Sequence, residues 1–438
     1  MALTGCEGEF DPNRARDGVD DAELPPAIAV QVAGVSDRAA RAQVVGAWRA
    51  RRAEVAAFLE RRSRGWDVVA TRRSSSGQIF DYVRAETLYP GAPDAPFATP
   101  PPLPAGAEAE VAGVARARSE FDTDPSLRPP AGTIAVARPS FEPYELGAIG
   151  ARDLAEYLEL AWPKPAPAYV NNRLYGTHRD VRANIGTSGN INLWDYQQVA
   201  SGEMSLLQTA ALCWGTSPST TLEAIEVGFQ KLPSKYDDTT VHLFTFFRTA
   251  GGASGDRVGG YNLDVQGFIQ AAGAFPPGAA VSPFSTPDGT QYECRIEVQL
   301  FQGNWWVYAC GVWIGYYPTQ NSTVAAGSRI NFDLIGSGTC EIHWYGEIYD
   351  AAPTTWTQAD MGSGRFAADG HGRAAYIREP WLIHADGSTS WFSSSVPGTG
   401  NGYDPDCYTV SSVFQNGGPS WGRWFYVGGP GGDNPGCN

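Results

Sequence analysis

Apolar and polar residues alternate without interruption from Tyr292 to Phe301, and this pattern constrains the fold more than any other feature of the chain. It separates an apolar set of side chains from a polar set: Tyr292, Cys294, Ile296, Val298 and Leu300 against Glu293, Arg295, Glu297 and Gln299. A period of two residues indicates a β-strand that turns one face toward a core. Further strand candidates are Val241–Arg248, Trp305–Gly315 and Trp421–Val427.

The composition favours a β-rich fold with many turns. The 438 residues include 51 glycines and 32 prolines, while aromatic residues make up 12% and charged residues only 18%. Such a balance is typical of short strands joined by turns rather than of helical bundles. The chain is also long enough to bury a large core. For residues 166–438 we therefore predict a mainly β domain built as an antiparallel two-sheet β-sandwich.

The first residues of the chain follow a different pattern. Residues 1–35 are polar and contain proline, which is typical of a flexible tether. A helical spacing of apolar residues then begins at Ser36 and is expected to end at Gly65. Two short strands are predicted next, at Val68–Thr71 and Gln78–Val83.

A proline-rich connector at 90–106 separates these strands from the rest of the N-terminal part. A second helical stretch, Leu146–Leu160, leads into a cluster of prolines at Pro163, Pro165 and Pro167. We interpret residues 36–165 as a small α+β domain, with its connector, placed ahead of the β domain.

Charge is distributed unevenly along the chain. Ten arginines and four acidic residues lie between residues 36 and 73, a net charge of +6, which leaves −21 for the rest of a chain whose total is −15. An acidic body argues against nucleic acid as a partner. A basic segment tethered to it suggests that the two parts bind each other, although a solvated helix face would give the same charge run.

The seven cysteines show no CxxC pair and no zinc spacing, which leaves disulfides or buried thiols and points weakly outside the cytosol. The segment Leu3-Thr-Gly-Cys6 resembles a bacterial lipobox, in which Cys6 would carry a lipid anchor, but the hydrophobic run that should precede it is missing. A secreted or cell-envelope location, with Cys6 as a candidate anchor, is the resulting expectation.

Two glutamates lie in strand-like segments beside glycine. In 221–230 the alternation puts Glu226 on one face with Ala224 and Gly228, opposite the apolar Ile225, Val227 and Phe229. In 340–350 it puts Glu347 with His343, Tyr345 and Tyr349, opposite Ile342, Trp344 and Ile348. Small neighbours would leave space beside Glu226. Two carboxylates on one sheet face could act as an acid and base pair, or could simply be part of a polar strand face.

Other catalytic patterns are weak. The five histidines form no HExxH pair, so a zinc peptidase is not expected, and no phosphate loop or dinucleotide fingerprint is present. The segment Gly418-Pro-Ser-Trp-Gly422 fits GxSxG but lacks the strand-to-helix context of a nucleophile elbow. His343 shares the predicted face of Glu347 and could tune it or be a hydrogen-bonded bystander. We expect no cofactor and no metal.

At this point the segments resemble the neprosin family of glutamic peptidases over residues 170–438. Glu226-Val-Gly-Phe229 is similar to its Glu-x-Gly-Trp, and Trp344-Tyr-Gly-Glu-Ile348 to its Trp-Gly-Gly-Glu-Val. The ordered series continues with these segments: Tyr236-Asp-Asp238, Leu243-Phe-Thr-Phe-Phe247, Gly259-Gly-Tyr-Asn-Leu-Asp-Val-Gln-Gly-Phe268, Gly315-Tyr-Tyr-Pro318, Met361-Gly-Ser-Gly364 and Gly428-Gly-Pro430. In the N-terminal part, Ser76-Gly-Gln-Ile-Phe-Asp-Tyr-Val83 and Gly132-Thr-Ile-Ala-Val-Ala-Arg138 resemble the activation domain that precedes such enzymes.

The resemblance implies a metal-free sandwich with a cleft, catalytic glutamates at Glu226 and Glu347, and cleavage after proline in acid. It makes the chain a zymogen whose pro-domain is an intramolecular inhibitor, whose substrate is a proline-containing peptide or protein, and which is expected to be a monomer. Two nearby carboxylates share a proton, so activity should fall as the pH rises above the upper apparent pKa of the pair.

The sequence also departs from the family pattern. Gly260 and Val265 stand where the family has a pair of cysteines, so the pairing that the resemblance still implies is Cys407 with Cys437. Phe229 replaces a tryptophan after the first glutamate, and Tyr345 replaces a glycine before the second. Both changes adjoin the candidate catalytic residues, and they affect the expected substrate preference more than the chemistry.

Two alternatives stay open on the sequence. A glycoside hydrolase or lyase on a sandwich also uses two carboxylates between aromatic walls. A non-catalytic carbohydrate- or peptide-binding sandwich would use Glu226 and Glu347 only to line a cleft.

Overall fold

The computed structural model of the chain describes scattered positions from 39 to 60 and, beyond them, these ranges: 62–92, 94–103, 113–138, 173–200, 203–215, 222–236, 238–249, 259–264, 267–325, 328–332, 334–339, 341–350, 357–393, 403–413 and 421–437. The predicted tether 1–35 with Cys6, the helix Leu146–Leu160, and the cluster Pro163, Pro165 and Pro167 lie outside the described residues.

The N-terminal part contains both helix and strand. The described positions from 39 to 63 are helical, and Gly65 follows with φ +86°, which fits the predicted end of this helix. The elements after it are β1 (Val68–Arg73), β2 (Ile79–Arg84), α1 (Ala85–Leu88), β3 (Val114–Arg116), β4 (Arg118–Ser119), α2 (Glu120–Thr123) and β5 (Thr133–Ala137), with 3₁₀ turns at Ala95–Phe97 and Pro125–Leu127. Strands β1, β2 and β5 form a three-stranded antiparallel sheet.

The regular secondary structure in the rest of the described chain is almost all strand. Its elements are β6 (Arg173–Asp180), β7 (Gly186–Asn192), β8 (Glu203–Trp214), β9 (Leu222–Lys231), α3 (Pro233–Tyr236), β10 (His242–Arg248), β11 (Gly259–Tyr261), β12 (Ile269–Gln270), β13 (Val281–Ser282), β14 (Gln291–Phe301), β15 (Asn304–Ala309), β16 (Val312–Pro318), β17 (Gln320–Ala325), β18 (Ser328–Asn331), β19 (Glu341–Asp350), β20 (Ala375–Ile383), β21 (Thr389–Trp391), β22 (Thr409–Val410) and β23 (Trp424–Gly428), with 3₁₀ turns at Ala367–Asp369 and Gly431–Asp433.

Two large sheets organise these strands. One has six strands in the order β11-β10-β9-β8-β19-β6, and every neighbouring pair in it is antiparallel. The other has ten strands, with the path β12-β16-β15-β14-β7-β20-β23-β22, to which β21 and β3 are added at β20 and β14. The prediction of a mainly β fold built on antiparallel sheets is therefore confirmed.

The core lies between the two sheets. Residues from both sheets share one buried apolar cluster, in which Val227 and Trp344 of the six-stranded sheet join Ile296 of the other. The Trp344 indole donates a hydrogen bond to Thr187 across the core, at 3.0 Å. The indole ring packs directly against the backbone at Gly189, where an added Cβ would lie 2.8 Å from the ring. Trp344 thus fixes the position of β19 against the second sheet.

One strand prediction was wrong. The segment Trp305–Gly315 is not a single strand but the hairpin of β15 and β16, which pair antiparallel. Cys310 and Gly311 form its turn with φ of +48° and +105°. Positive φ at two successive residues reverses the chain in a tight hairpin, and the apolar, aromatic run masked this signal in the sequence.

The N-terminal part binds the β-sandwich through backbone pairing. Strand β3 adds to β14 in parallel at Gln291–Glu293, and β4 pairs with β13. The Gln78 side chain donates to the Tyr236 carbonyl at 2.7 Å, and the Glu120 carboxylate accepts from the Ala280 amide at 3.0 Å. Arg62, one of the ten arginines, donates to the Leu263 carbonyl at 3.0 Å. The two parts of the chain are therefore packed together by directional bonds.

Two disulfides join described cysteines. Cys407 pairs with Cys437, which confirms the pairing implied by the family resemblance. Cys294 pairs with Cys310 and ties β14 to the β15–β16 turn, a bond that the sequence analysis did not predict.

Gly228 should be sensitive to substitution because β8 and β9 approach closely there. A Cβ at this position would lie 2.3 Å from the Leu207 carbonyl oxygen and 2.5 Å from the Gln208 Cβ. We expect Gly228→Ala to lower the free energy of unfolding by about 1–3 kcal/mol, as overpacking does, measured by denaturant unfolding. Gly46→Ala is the control, since a Cβ on that helical glycine meets nothing within 4 Å. Equal stability of Gly228→Ala and wild type would contradict the close approach.

Candidate active site

Glu226 and Glu347 lie on the same face of the six-stranded sheet. Glu226 is in β9 and Glu347 in β19, and β8 runs between them. In the sheet register, Glu226 is opposite Ala210 of β8, and Glu347 is opposite Leu206 of the same strand. Ala210 and Leu206 are an even number of residues apart. Even spacing in a strand keeps side chains on one face. Since Val227 and Trp344 point to the core, this shared face is the one turned away from the second sheet.

Polar side chains of the same face hold the Glu226 carboxyl group. Glu226 is only 7% exposed. The Gln208 amide in β8 donates to its Oε2 at 2.8 Å, and the Tyr345 hydroxyl in β19 lies 3.4 Å from the same oxygen. Gln208 also donates to the Tyr345 hydroxyl. The expectation of open space beside Glu226 was therefore wrong, because Gln208 and Tyr345 reach into it from the neighbouring strands.

The Glu347 carboxylate is paired with a cationic side chain, that of Arg173. This carboxyl group is 3% exposed, and its Oε1 forms an ion pair with Arg173 at the start of β6. Tyr175, which is directly opposite Glu347 in the register, adds a hydrogen bond to the carboxylate. The Arg173 guanidinium also lies 4.6 Å from the centre of the Tyr349 ring. Glu347 is thus the member of the pair that has a positive partner.

The different surroundings of Glu226 and Glu347 act differently on the pKa values of the two carboxyl groups. Burial raises the pKa of Glu226 to about 7, and the nearby charge of Glu347 adds to this rise. The hydrogen bond from Gln208, the charge of Arg173 and the hydrogen bond from Tyr345 oppose it. Burial also raises the pKa of Glu347, but the charge and hydrogen bond of Arg173 oppose it. Glu347 is therefore the member that ionises first, and Glu226 is the member that keeps a proton.

His343 does not contact Glu347 through its imidazole. Its Nε2 lies 2.8 Å from Glu341 Oε2, on the same strand and two residues away. The bystander interpretation of this histidine is the one that the geometry favours.

Sequence reasoning missed Arg173, Tyr175 and Gln208. Arg173 and Tyr175 reach the site because β6 pairs with β19, and Gln208 because β8 lies between the two glutamate strands. Alternation along β6 and β8 predicts which face of the sheet these side chains lie on. It does not predict that either strand pairs with β19, because nothing in the local sequence encodes the order of strands that are distant in the chain.

A third buried glutamate shows that burial alone does not define the site. Glu297 in β14 is fully buried, and burial raises its pKa to about 7. It lies on the outer face of the ten-stranded sheet, where the nearest cation is Arg295 at 3.9 Å. Glu293 lies on the same face as Glu297, but its charge is not among the causes of the Glu297 pKa rise, whereas the charge of Glu347 does raise the pKa of Glu226.

The described residues hold neither a metal-ligand cluster nor a helix able to span a membrane. They contain no cluster of three or more histidine, cysteine, aspartate or glutamate side chains that could hold a metal ion. Across the same part of the chain, no helix has the length and apolar character needed to cross a membrane.

A model of the Neprosin family matches residues 201–430, which is just over half of the chain and includes both Glu226 and Glu347. The chain belongs to the Neprosin family. This agrees with the ordered series of segments found in the sequence, and membership of a family of peptidases makes the chain a peptidase.

Solved structures similar to this neprosin-family chain are distant in sequence. Scytalido-glutamic peptidase with a peptide-based transition-state analogue has 9% identity and a TM-score of 0.25, covering 59% of this chain and 98% of that one. A GH16 protein of Bacteroides ovatus, in complex with a mixed-linkage glucan product, has 8% identity and a TM-score of 0.23, covering 40% of this chain and 66% of that one. The family assignment rests on the family model alone.

Proposed function

We propose that this neprosin-family chain is an acid-active glutamic endopeptidase that cleaves after proline and is made as a zymogen. The observation that carries the proposal is the pair of buried carboxyl groups on one sheet face, one in an ion pair with Arg173 and one hydrogen-bonded by neutral groups. Two carboxyl groups whose environments separate their pKa values are the arrangement that general acid–base hydrolysis requires.

The environments assign a role to each glutamate. Glu347, ionised beside Arg173, takes a proton from water, and the water oxygen bonds to the carbonyl carbon of the scissile peptide. Glu226 donates its proton to the carbonyl oxygen at the same time. When the tetrahedral intermediate collapses, the C–N bond breaks, the amine takes the proton from Glu347, and the carbonyl oxygen returns a proton to Glu226. The pair is then restored to its starting state.

Gln208 is suited to orient the substrate between the two glutamates. Its amide nitrogen is engaged by Glu226 and Tyr345, but its Oε1 is buried and has no hydrogen-bond partner among the described residues. A buried acceptor without a partner is costly unless a ligand satisfies it. A backbone N–H of an extended peptide lying across β8 would do so.

The zymogen part of the proposal is supported by how the N-terminal part is bound. Strands β3 and β4 of the predicted pro-domain, residues 36–165, pair with β14 and β13 of the catalytic domain, residues 166–438. The prolines at 163, 165 and 167 lie between β5 and β6 in the chain, and β6 starts with Arg173, the partner of Glu347. Cleavage after one of these prolines would separate the inhibitor from the enzyme. Secretion, or anchoring of the cell-envelope protein through Cys6, is part of the same proposal, as is a monomeric state.

The catalytic roles can be tested by isosteric substitution. We expect Glu226→Gln and Glu347→Gln each to lower kcat/KM on a proline-containing peptide by at least about 100-fold, because glutamine can neither donate nor accept the required proton. Glu297→Gln is the matched control, since it removes an equally buried carboxyl group from the other sheet. A near wild-type rate in either site variant would refute the assignment, and retained peptide binding without hydrolysis in the wild type would favour a binding module.

The bond that is cleaved can be read from digestion products. We expect a defined protein incubated with the acid-treated enzyme at pH about 5, between the ordinary glutamate pKa and the Glu226 pKa of about 7, to yield fragments whose new C-termini are prolines by mass spectrometry. A polysaccharide panel is the control for the glycosidase alternative. Fragments ending mostly in other residues would contradict the proline preference.

The same digestion reports on processing. N-terminal sequencing of the acid-treated chain should place its new start after Pro163, Pro165 or Pro167, and Glu226→Gln protein should stay intact if the cleavage is its own. A chain that remains intact and yet is active would overturn the zymogen proposal.

A further inference from the structure

We propose that Tyr345 is a positioning residue that holds Glu226 toward the substrate and eases the release of its proton. The inference rests on the proposed function, because it concerns the acid of the same pair. The family resemblance implies a glycine at this position, so the hydroxyl group is a feature of this chain rather than a copy of the family pattern.

The sheet register explains how Tyr345 reaches a residue two strands away. Tyr345 is opposite Gln208, which is opposite Gly228, so these three residues form one row across β19, β8 and β9. Glu226 and Glu347 lie in the rows on either side of it. Because Gly228 has no side chain, the space over β9 at this position is open. The Tyr345 side chain can therefore extend across β8 until its hydroxyl reaches Glu226.

The ring of Tyr345 is fixed by its neighbours. It is 8% exposed, and its centre lies 6.0 Å from that of the Tyr175 ring and 6.2 Å from that of the His343 ring. The Tyr345 hydroxyl accepts a hydrogen bond from the Gln208 amide. This acceptance orients the proton of the Tyr345 hydroxyl toward Glu226 Oε2, which lies 3.4 Å away. A held ring and an oriented hydroxyl give the Glu226 carboxyl group one preferred direction.

Tyr345 can serve only as a neutral donor. Burial, followed by the charges of Glu226 and Glu347, raises the pKa of its phenol well above the ordinary value. A neutral hydroxyl that donates to a carboxylate stabilises the ionised form more than the protonated form. Tyr345 therefore lowers the pKa of Glu226, in opposition to the larger effect of burial.

Other groups around Glu226 act in the wild type and in a Tyr345 variant alike. They include charged and titratable residues on three strands of this face and one tyrosine of the opposite sheet: Arg173 and Tyr175 on β6, Glu347 and His343 on β19, Arg248 on β10 and Tyr317 on β16. A change confined to the Tyr345 hydroxyl thus isolates its contribution.

The test is the pH profile of kcat/KM for Tyr345→Phe. The alkaline limb of the wild type should lie near the Glu226 pKa of about 7. Loss of the donor disfavours ionised Glu226, so its pKa rises and the limb should move to higher pH by about half to one unit, the range of one long hydrogen bond to a charged group. The matched control is Tyr376→Phe, which removes a buried hydroxyl lying 3.3 Å from Glu293 Oε2 on the other sheet and should leave the profile unchanged.

A second variant keeps the test decisive if Tyr345→Phe folds poorly. Placing 3-fluorotyrosine at position 345 preserves the ring and makes the hydroxyl a stronger donor, so the limb should move to lower pH. An unchanged limb in both variants, or shifts of the opposite sign, would overturn the role of Tyr345. Activity retained by Glu226→Gln would instead overturn the proposed function, which separates the two failures.

Discussion

The structure depends on the burial of two like charges on one face of a sheet. Two carboxyl groups removed from water cannot both ionise cheaply, because each loses hydration and repels the other. Here Arg173 compensates the charge of Glu347, while the hydrogen bonds to Glu226 from the described residues come from neutral donors, Gln208 and Tyr345. The asymmetry leaves one proton on Glu226 over the pH range below about 7. Between the pKa of Glu347 and that of Glu226, one carboxylate and one carboxylic acid are present together.

The sandwich makes this arrangement rigid. Each glutamate sits in a strand whose next residues point into the shared core, so that Val227 anchors the backbone beside Glu226 and Ile348 that beside Glu347. Trp344 ties β19 to the second sheet through Thr187 and the space at Gly189. A site built on paired strands is held more firmly than one built on loops. The distance between the two carboxyl groups is thus set by strand register across β8.

Alternation in the sequence correctly assigned Glu226 and Glu347 to the face opposite the core residues of their strands, while the choice of these two as a candidate catalytic pair came from the family resemblance. The pattern around Glu226 and around Glu347 identified the core side and the polar side of β9 and β19, and both agree with the structure. Local pattern could not supply what depends on strand order. Arg173 comes from β6, which pairs with the distant β19, and Gln208 comes from β8, which pairs with the next strand β9 and also with β19. The hairpin turn at Cys310 was hidden in an apolar run.

The N-terminal part illustrates the same limit. Composition suggested that an arginine-rich segment binds an acidic body, and one contact of Arg62 with the body is a hydrogen bond to the Leu263 carbonyl. Strand addition by β3 and β4 has no signature in net charge, because it uses backbone groups that every residue carries.

The most direct test of the central claim is a titration of the Glu226 and Glu347 carboxyl groups by NMR, in the wild type and in Glu347→Gln. We expect Glu226 to titrate near pH 7 in the wild type and at clearly lower pH in the variant, where the neighbouring negative charge is gone and Arg173 is released. Two carboxyl groups that titrate independently near their ordinary values, with Glu226 unaffected by the loss of Glu347, would show that they do not share a site.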